Sequence, residues 1–422
     1  MLNFEHSDNL RVLFINDTAR NGGPGRSLHS ILRHLDTDRL HRTVLLPRPG
    51  EVSALLSRDA VAERLLYEPQ WVENVYEPWT RDMVRTDFAA PRALRCLRAL
   101  GNAGRMAMAV ARTAARVRRG SFGLIYCNGT VADLVGGLVA RLTGVPALWH
   151  VRYTSLPAAI QPLHHSLAAS GAVRRIVCVS AAAARVVGDF AHKTTVINNG
   201  VDTDDFAPGR TPGRLRAELG LGADTVIFGS HGRVLRRKGY VELVRAACVA
   251  LAQMNADERR RCAFVVVGDT PQDFQPDHVQ ECRRLAAELG VAGHVFFLGF
   301  RADVRPLLAD WDVAVVPSVY PDPLPRAVIE SMAFAKPVIA YDVGGVREML
   351  SADEGALLPD PGDVAALAGA FLRYLRDPAL RARQGQAARR RAVAGFGARA
   401  HAARIQTEIV NAAARPAAER RN

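Results

Sequence analysis

The sequence predicts an α/β chain of two doubly wound domains, and three observations carry that prediction. Short apolar, β-branched runs alternate with helical patterns along most of the length, as expected of parallel strands covered by helices. The runs fall into two series, separated by a polar stretch with Pro and Gly at 202–213 that reads as a linker. The chain has 422 residues, enough for two or three domains with sizeable cores.

In the first series, strands are expected at Arg11–Asn16, Thr43–Leu46, Leu124–Cys127, Ala147–His150, Ile176–Ser180 and Thr195–Asn198. The second series has them at Val226–Gly229, Phe264–Gly268, Val295–Gly299, Val313–Val316 and Pro337–Ala340. The first domain is placed at 1–205 and the second at 206–395. No apolar run approaches the ~18 residues of a membrane span. The first eight residues are polar and acidic, unlike the basic start of a secretory leader. Six cysteines are scattered without a Cys-x-x-Cys, which predicts buried free thiols and a reducing cytoplasm.

The net charge is +13, and only Lys193, Lys238 and Lys336 are lysines, so arginine carries it. Such a balance suits anionic partners: nucleotide diphosphates, acidic lipid surfaces or nucleic acid. Nucleic acid is excluded by the lack of a binding module or of interleaved aromatic and basic residues. The stretch 91–120 is rich in Arg and free of acids. On a helical wheel Arg95, Arg98, Arg105, Arg112, Arg116 and Arg119 share roughly a third of the circumference, with Leu and Met nearby. Gly101 and Gly104 are expected to divide the stretch into two helices. The basic stripe is either a solvated face or a surface that lies on an anionic membrane.

Several loops at strand ends carry candidate chemistry. After the first strand, Asn16–Leu28 includes Gly22 and Gly23 just before a helix. It is not Gly-x-Gly-x-x-Gly, so the dinucleotide fingerprint fails and an NAD-dependent oxidoreductase is disfavoured. The loop is either a tight turn or an anion or hydroxyl site at a helix amino terminus. His150 ends a strand, with Arg152 beside it, and is either a satisfied structural group or a ligand contact. In the second half, Arg233 and Lys238 lie five apart in a glycine-flanked loop and can converge on one phosphate group.

The most informative stretch is Tyr320–Gly345, a strand end, a proline-rich loop, a helix of roughly ten residues, a second strand and a glycine turn. Asp322 sits in the loop, and Glu330 lies in the helix among Val328, Ile329, Met332 and Phe334. A carboxylate in such company needs a partner or a surface turn. It also follows the carboxyl end of a parallel strand, where open α/β sheets bind ligands.

The order acid, Pro, apolar, a second acid, then Glu330-Ser-Met-Ala-x-x-Lys-Pro-Val-Ile-Ala resembles the donor-binding signature of retaining GT-B glycosyltransferases, closest to family 4. The resemblance implies two Rossmann-like domains with parallel sheets facing across a cleft, and a last helix, from about 396, that returns to the first domain. It implies that Gly22 and Gly23 face the donor diphosphate and the acceptor, and that His150 contacts the donor sugar. Arg233 and Lys238 would hold the diphosphate and stabilise the leaving group, Glu330 would accept hydrogen bonds from the ribose, and Asp322 would lie near the sugar ring. Arg301 lies in the loop Gly299-Phe-Arg-Ala-Asp-Val, which resembles the one whose main chain contacts the nucleobase, and Leu324 and Arg326 join the donor-binding candidates. Pro317, Ser318, Gly344, Gly345 and Glu348 line the same region.

Two departures bear on donor-sugar choice and rate. Asp322 stands where the family usually has Glu, and Leu324-Pro325 stands where it usually has Phe-Gly, removing a backbone N–H. The implied activity is retaining transfer of a sugar from a UDP- or GDP-sugar to a hydroxyl of a glycan or lipid-linked acceptor, with no metal and no other cofactor. The alternatives are a nucleotide-sugar 2-epimerase of the same fold and a non-catalytic nucleotide-sugar-binding protein.

Overall fold

The computed structural model describes residues 9–20, 22–73, 92–271, 274 and 276–414. The amino-terminal octapeptide, Pro91 and the tail beyond 414 lie outside the described residues. The chain forms two compact units; the described part of the first is drawn from 9–73, 92–200 and 398–414, and that of the second from 201–397.

The first unit is built on a seven-stranded sheet. Its strands are β1 (Leu10–Asn16), β2 (Leu40–Leu46), β3 (Arg64–Tyr67), β4 (Leu124–Asn128), β5 (Ala147–Val151), β6 (Val173–Cys178) and β7 (Thr194–Val196). They lie in the order β3-β2-β1-β4-β5-β6-β7, and every pairing is parallel. The second unit holds six strands: β8 (Val226–His231), β9 (Cys262–Val267), β10 (Val295–Phe297), β11 (Val313–Val316), β12 (Val338–Tyr341) and β13 (Gly355–Leu358). Their order, β10-β9-β8-β11-β12-β13, is again wholly parallel. Both sheets are doubly wound, with the chain reversing direction between β1 and β4 and between β8 and β11. Those reversals open a crevice at the carboxyl ends of the strands, where such sheets bind ligands.

The strands expected from sequence are all present; all but the edge strands β7 and β10 are central parallel strands, which are buried on both faces and read as continuous apolar runs. Two edge strands, β3 and β13, add to that expectation. Each is four residues long and mostly half-buried, so neither carries a diagnostic apolar run.

Three helices bear on the site and its surroundings. Ala398–Ala413 closes the first unit: Ile405, Ile409 and Ala412 are buried in one cluster with Val12, Phe14, Leu28 and Ile31. Arg174 ties its end down by donating to the Ala414 carbonyl at 2.9 Å. The helix after the proline-rich loop, Arg326–Ala333, has eight residues rather than about ten. It stops where Ala335 enters the left-handed region at φ 56° ahead of Lys336-Pro337.

The third corrects an expectation. Arg92–Arg119 is one helix of 28 residues, not two broken at Gly101 and Gly104. A glycine in a helix interior costs about 1 kcal/mol relative to Ala, which a long run of Ala, Leu, Met and Arg outweighs. Its arginine stripe is also only partly a surface feature. Arg112 and Arg116 form ion pairs with the fully buried Glu68, Arg112 at 3.2 Å, and Arg105 donates to the Pro69 carbonyl at 3.2 Å. Among the described residues, no helix is long and apolar enough to cross a membrane.

Candidate active site

In the second unit, candidate residues from three separate loops meet at the ends of β8 and β11. The loop after β8 is drawn against the loop after β11 by backbone contact. Val319 N–H donates to the Arg237 carbonyl at 3.0 Å, and Gly239 (φ 76°) lies so close to Pro317 that a Cβ there would sit 1.7 Å from its carbonyl oxygen. A third loop locks on in the same way. Gly345 N–H donates to the Asp322 carbonyl at 2.9 Å, and Gly344 (φ 56°) would place a Cβ 2.0 Å from that oxygen. Any side chain at Gly239 or Gly344 would therefore force the loops apart.

This stitching brings Lys238 to Asp322. Its Nζ donates to Asp322 Oδ2 at 2.5 Å, with the two side chains 20% and 8% exposed. Burial alone would lower the ammonium's pKa, but the Asp322 charge, the Tyr320 phenol and the hydrogen bond to Asp322 together hold it above the ordinary lysine value. The Tyr320 ring supports the arrangement, with Lys238 Nζ 5.2 Å and the Arg237 guanidinium 4.6 Å from its centre. Asp322, though one methylene shorter than Glu, thus reaches Lys238 directly.

Glu330 solves its burial problem differently. His231, the last residue of β8, donates from Nε2 to Glu330 Oε2 at 2.8 Å, and Arg326, one turn earlier on the helix, meets Oε1 at 3.2 Å. Arg233 stands half-buried at the start of the same loop. The second unit therefore presents a compact set of paired charges at the crevice of its sheet.

The first unit presents a hydrogen-bonded network of mostly neutral groups around one guanidinium. Asn128 donates to Asn16 Oδ1 at 2.5 Å, and Arg152 donates to Asn128 Oδ1 at 2.6 Å and to Asn199 Oδ1 at 2.7 Å. Arg152 also reaches His150 Nδ1 at 3.2 Å, and Tyr126 hydrogen-bonds the same nitrogen. Burial first, then the positive Arg152 and the neighbouring His401, hold the His150 pKa well below the usual histidine value. The ring is neutral, and because Arg152 can only donate, its proton sits on Nε2. That Nε2–H is buried and has no hydrogen-bond partner. His150 is fully enclosed, whereas Arg152 keeps some surface.

Gly22 and Gly23 open the helix Gly23–His34. Neither adopts a left-handed conformation, and a Cβ on either would meet nothing nearer than 4.0 Å. Gly22 is the N-cap of this helix, a position that glycine suits, and the space beside both glycines is open. Asn21, between the loop and these glycines, lies outside the described residues.

Known proteins match both halves. The "Glycosyl transferases group 1" family signature covers residues 213–391, and that of "Glycosyltransferase Family 4" covers 21–205. A 2-deoxystreptamine glucosyltransferase of Streptomyces kanamyceticus is 31% identical over 277 residues, 60% of this chain and 68% of its own. A D-inositol 3-phosphate glycosyltransferase of Streptomyces avermitilis is 31% identical over 65% of this chain and 62% of its own. The chain belongs to glycosyltransferase family 4. Among solved structures, Anabaena HepE in complex with UDP aligns with a TM-score of 0.76 at 24% identity, over 95% of this chain and all of its own. Sucrose-phosphate synthase of Thermosynechococcus elongatus aligns at 0.70 and 22%, over 94% of this chain and 98% of its own. Both likenesses establish the GT-B fold. The aligned spans are about three fifths to two thirds of the two curated relatives' lengths.

Seen as a family 4 glycosyltransferase, the chain gathers some predicted residues and leaves others apart. Lys238 with Asp322, and Glu330 with Arg326, are brought together in pairs. Leu324 is 4% exposed and packs in the interior of the loop. Arg301 forms a partly exposed ion pair with Glu218. Ser318 is buried at the end of β11, and Glu348 lies on the short helix Val346–Met349 after the glycine turn.

Sequence reasoning missed His231, Asn16, Asn128 and Asn199. A signal existed: each is a polar residue that ends or closely follows an apolar strand, as in Leu-Arg-Val-Leu-Phe-Ile-Asn and Val-Ile-Phe-Gly-Ser-His. Among the described residues, no group of three or more His, Cys, Asp or Glu side chains is arranged to hold a metal ion.

Proposed function

We propose that this glycosyltransferase moves a sugar from a nucleotide-diphosphate donor, a UDP- or GDP-sugar, to a hydroxyl of a glycan or lipid-linked acceptor. Transfer retains the anomeric configuration and uses no divalent cation. The observation that carries this reading is the pairing of Lys238 with Asp322 across the loops that follow β8 and β11, at the end of the sheet where such folds bind ligands. The relatives' names as glycosyltransferases and the UDP held by HepE support it.

Each residue takes a role that its surroundings allow. Arg233 and Lys238 hold the diphosphate, Lys238 exchanging Asp322 for phosphate oxygens as the donor enters. Glu330 accepts from the ribose hydroxyls. Asp322, released from Lys238, faces the sugar. In the first unit, Gly22 and Gly23 let a ligand approach the backbone, and His150 offers its Nε2–H to a sugar hydroxyl once the ring, enclosed in the free protein, is uncovered. Arg301 contacts the nucleobase once it leaves Glu218.

During transfer the bond from the anomeric carbon to the leaving phosphate oxygen breaks first. The acceptor oxygen attacks the same face, and its proton passes to the leaving phosphate oxygen. The two cations stabilise the charge that grows on the nucleoside diphosphate, in place of a metal.

Calorimetric titration with UDP and GDP in the presence of EDTA tests the site. Micromolar binding of one nucleotide that collapses in Lys238→Ala is the expected result. Absence of binding to either refutes the reading. Donor consumed without acceptor points to the epimerase, and binding without any turnover points to the non-catalytic alternative.

A specific observation also favours a membrane surface for the acceptor, on the cytoplasmic side. In the amino-terminal half of the helix Arg92–Arg119, Leu97 and Leu100 are 66% and 71% exposed, with Leu94 also exposed, and Met108 follows in the second half. Basic helices with an open apolar stripe bind anionic bilayers. Flotation with anionic liposomes that is lost in Leu97→Glu/Leu100→Glu supports this; unchanged flotation refutes it.

A further inference from the structure

We infer that Glu73 is a positioning residue: it fixes the loop 17–20 in the first unit, and through it the placement of Gly22 and Gly23 against the ligand during sugar transfer. The inference rests on the role proposed for those glycines and adds to it a residue that none of the motifs contains.

The loop after β1 is held by short ties from several segments. Asp17 Oδ1 accepts from the Ala132 N–H at 2.6 Å, and the Asp17 carbonyl accepts from Trp71 Nε1 at 3.2 Å. The Thr18 carbonyl accepts from Asn16 Nδ2 at 2.8 Å, and the Ala19 carbonyl from the Val52 N–H at 3.0 Å. These contacts fix three carbonyls and one side chain. The Thr18 hydroxyl proton and the Ala19 N–H still need an acceptor.

Glu73 satisfies both. Its Oε2 accepts from Thr18 Oγ1 at 2.6 Å and from the Ala19 N–H at 3.4 Å. Thr18 Oγ1 accepts in turn from the Arg20 N–H at 3.1 Å, so the hydroxyl relays the hold of the carboxylate to the next residue. The Arg20 guanidinium lies 3.7 Å from the same Oε2. One carboxylate oxygen thus meets three consecutive residues of the loop, and the last of them stands two positions before Gly22.

The other oxygen matters less. Oε1 accepts from Arg48 at 2.9 Å, but the Arg48 side chain is 58% exposed, and ion pairs in water contribute little. The Glu73 side chain is itself only 13% exposed, so its hold on Thr18 and Ala19 is largely shielded from solvent. Hydrogen bonds to an ionised acceptor are roughly twice as strong as neutral ones.

This hold bears on transfer through the two glycines. The Gly22 carbonyl accepts from the Arg26 N–H at 3.0 Å as the first turn of the helix Gly23–His34, and the space beside both glycines is open. Their placement is set by the helix on one side and by the loop 17–20 on the other. Transfer needs closely held reacting groups, and a displacement of about 1 Å caused far from the chemistry can cost ~100-fold in rate. Loss of Glu73 should therefore slow transfer without weakening nucleotide binding, whose proposed contacts lie in the second unit.

The test compares Glu73→Ala with Glu73→Gln, whose amide oxygen still accepts from Thr18 and Ala19. Thr18→Val, which keeps the carboxylate but removes the hydroxyl, is the second route to the same loss. Each full-length variant is measured for amide exchange across 16–20 and for affinity to UDP and GDP. Turnover is read as consumption of UDP-glucose, UDP-N-acetylglucosamine or GDP-mannose, with methyl glycosides or water as acceptor. In Glu73→Ala the loop should exchange at least about tenfold faster while β1 and β4 keep their protection. Its kcat should fall about 100-fold with nucleotide affinity unchanged. Thr18→Val should move both readouts the same way, and Glu73→Gln should recover most of the rate.

Unchanged exchange of the loop in both Glu73→Ala and Thr18→Val overturns the inference, as does faster exchange with undiminished turnover. Lost protection throughout the first unit marks a general structural role and overturns it as well. So does a Glu73→Gln variant as slow as Glu73→Ala, since the hold then does not act through the acceptor. A wild type that binds nucleotide but consumes no donor has failed the proposed transfer itself, and this inference falls with it, a pattern distinct from the others.

Discussion

The two sheets of this chain share one winding order, yet their crevices are filled in opposite ways. At the ends of β1, β4 and β5, amide side chains and one guanidinium satisfy one another: Asn16, Asn128, Asn199, Arg152 and His150. At the ends of β8 and β11, the contents are ions in pairs, Lys238 with Asp322 and Glu330 with Arg326, with His231 hydrogen-bonded to Glu330. Hydrogen-bonded neutral groups make a rigid floor, since losing any one leaves its partners buried and unsatisfied. Paired ions are a different store, because a charged ligand can replace one member without leaving the other bare. The first arrangement is built to hold shape, and the second to exchange partners.

The largest expected effect separates these roles. Arg152→Ala removes the donor shared by Asn128 Oδ1 and Asn199 Oδ1 and the contact at His150 Nδ1. It should cost about 3–4 kcal/mol of stability, as several buried acceptors lose their partner. Nucleotide affinity, measured on the folded variant, should stay within about twofold of wild type. A stable variant that fails to bind nucleotide would erase the contrast.

Lys238→Ala should do the reverse. Nucleotide affinity should fall about 100-fold, the size of one charge-assisted contact to phosphate, or about 2.7 kcal/mol. The fold should survive, because Asp322 can protonate when its partner is gone. Denaturant unfolding beside calorimetry distinguishes the two outcomes. A 100-fold loss accompanied by global unfolding would make the lysine structural.

The neutral crevice has its own titration. Burial, then the nearby Asp17, raises the Asp133 carboxyl well above its ordinary range. Although part of Asp17 meets solvent, the crowding around its carboxyl pushes it up to about 7, against the helix amides that it caps. A carboxyl whose proton is held more tightly in the fold adds stability that is complete below the unfolded pKa and is lost as pH rises. The window opens above 3.8, the ordinary Asp value, and for Asp17 extends to about 7. Asp133→Asn, which stays neutral, should therefore gain stability relative to wild type as pH rises above 3.8, in melting experiments run across that range. A pH-independent difference would mean that Asp133 is already ionised in the fold.

How much of this is legible in the sequence depends on what is local. The central strands are readable because each buries both faces, and the loop-and-helix around Asp322 and Glu330 is readable because its spacing is contiguous. The Lys238–Asp322 pair is not, since its members lie 84 residues apart and meet only when Gly239 and Gly344 let three loops close. Arg112 and Arg116 mislead for the same reason: their partner, Glu68, comes from the end of another strand. His231 is a single polar residue after an apolar run, which gives no periodic signal.

The smallest predicted effect returns to the long helix, which lies outside both crevices. Gly101 and Gly104 sit within Arg92–Arg119, and a Cβ at either would meet nothing within 4 Å. Replacing a helical glycine by Ala restricts the unfolded chain and removes no contact. Gly101→Ala should therefore raise stability by about 0.5–1 kcal/mol, with nucleotide binding unaltered. Equal stability would mean that this end of the helix is already open in the native state, so that its conformational cost never reaches the global unfolding transition. In that case the exposed leucines belong to a segment that orders only against a surface. The same variant should then increase liposome flotation, because less ordering remains to be done on binding.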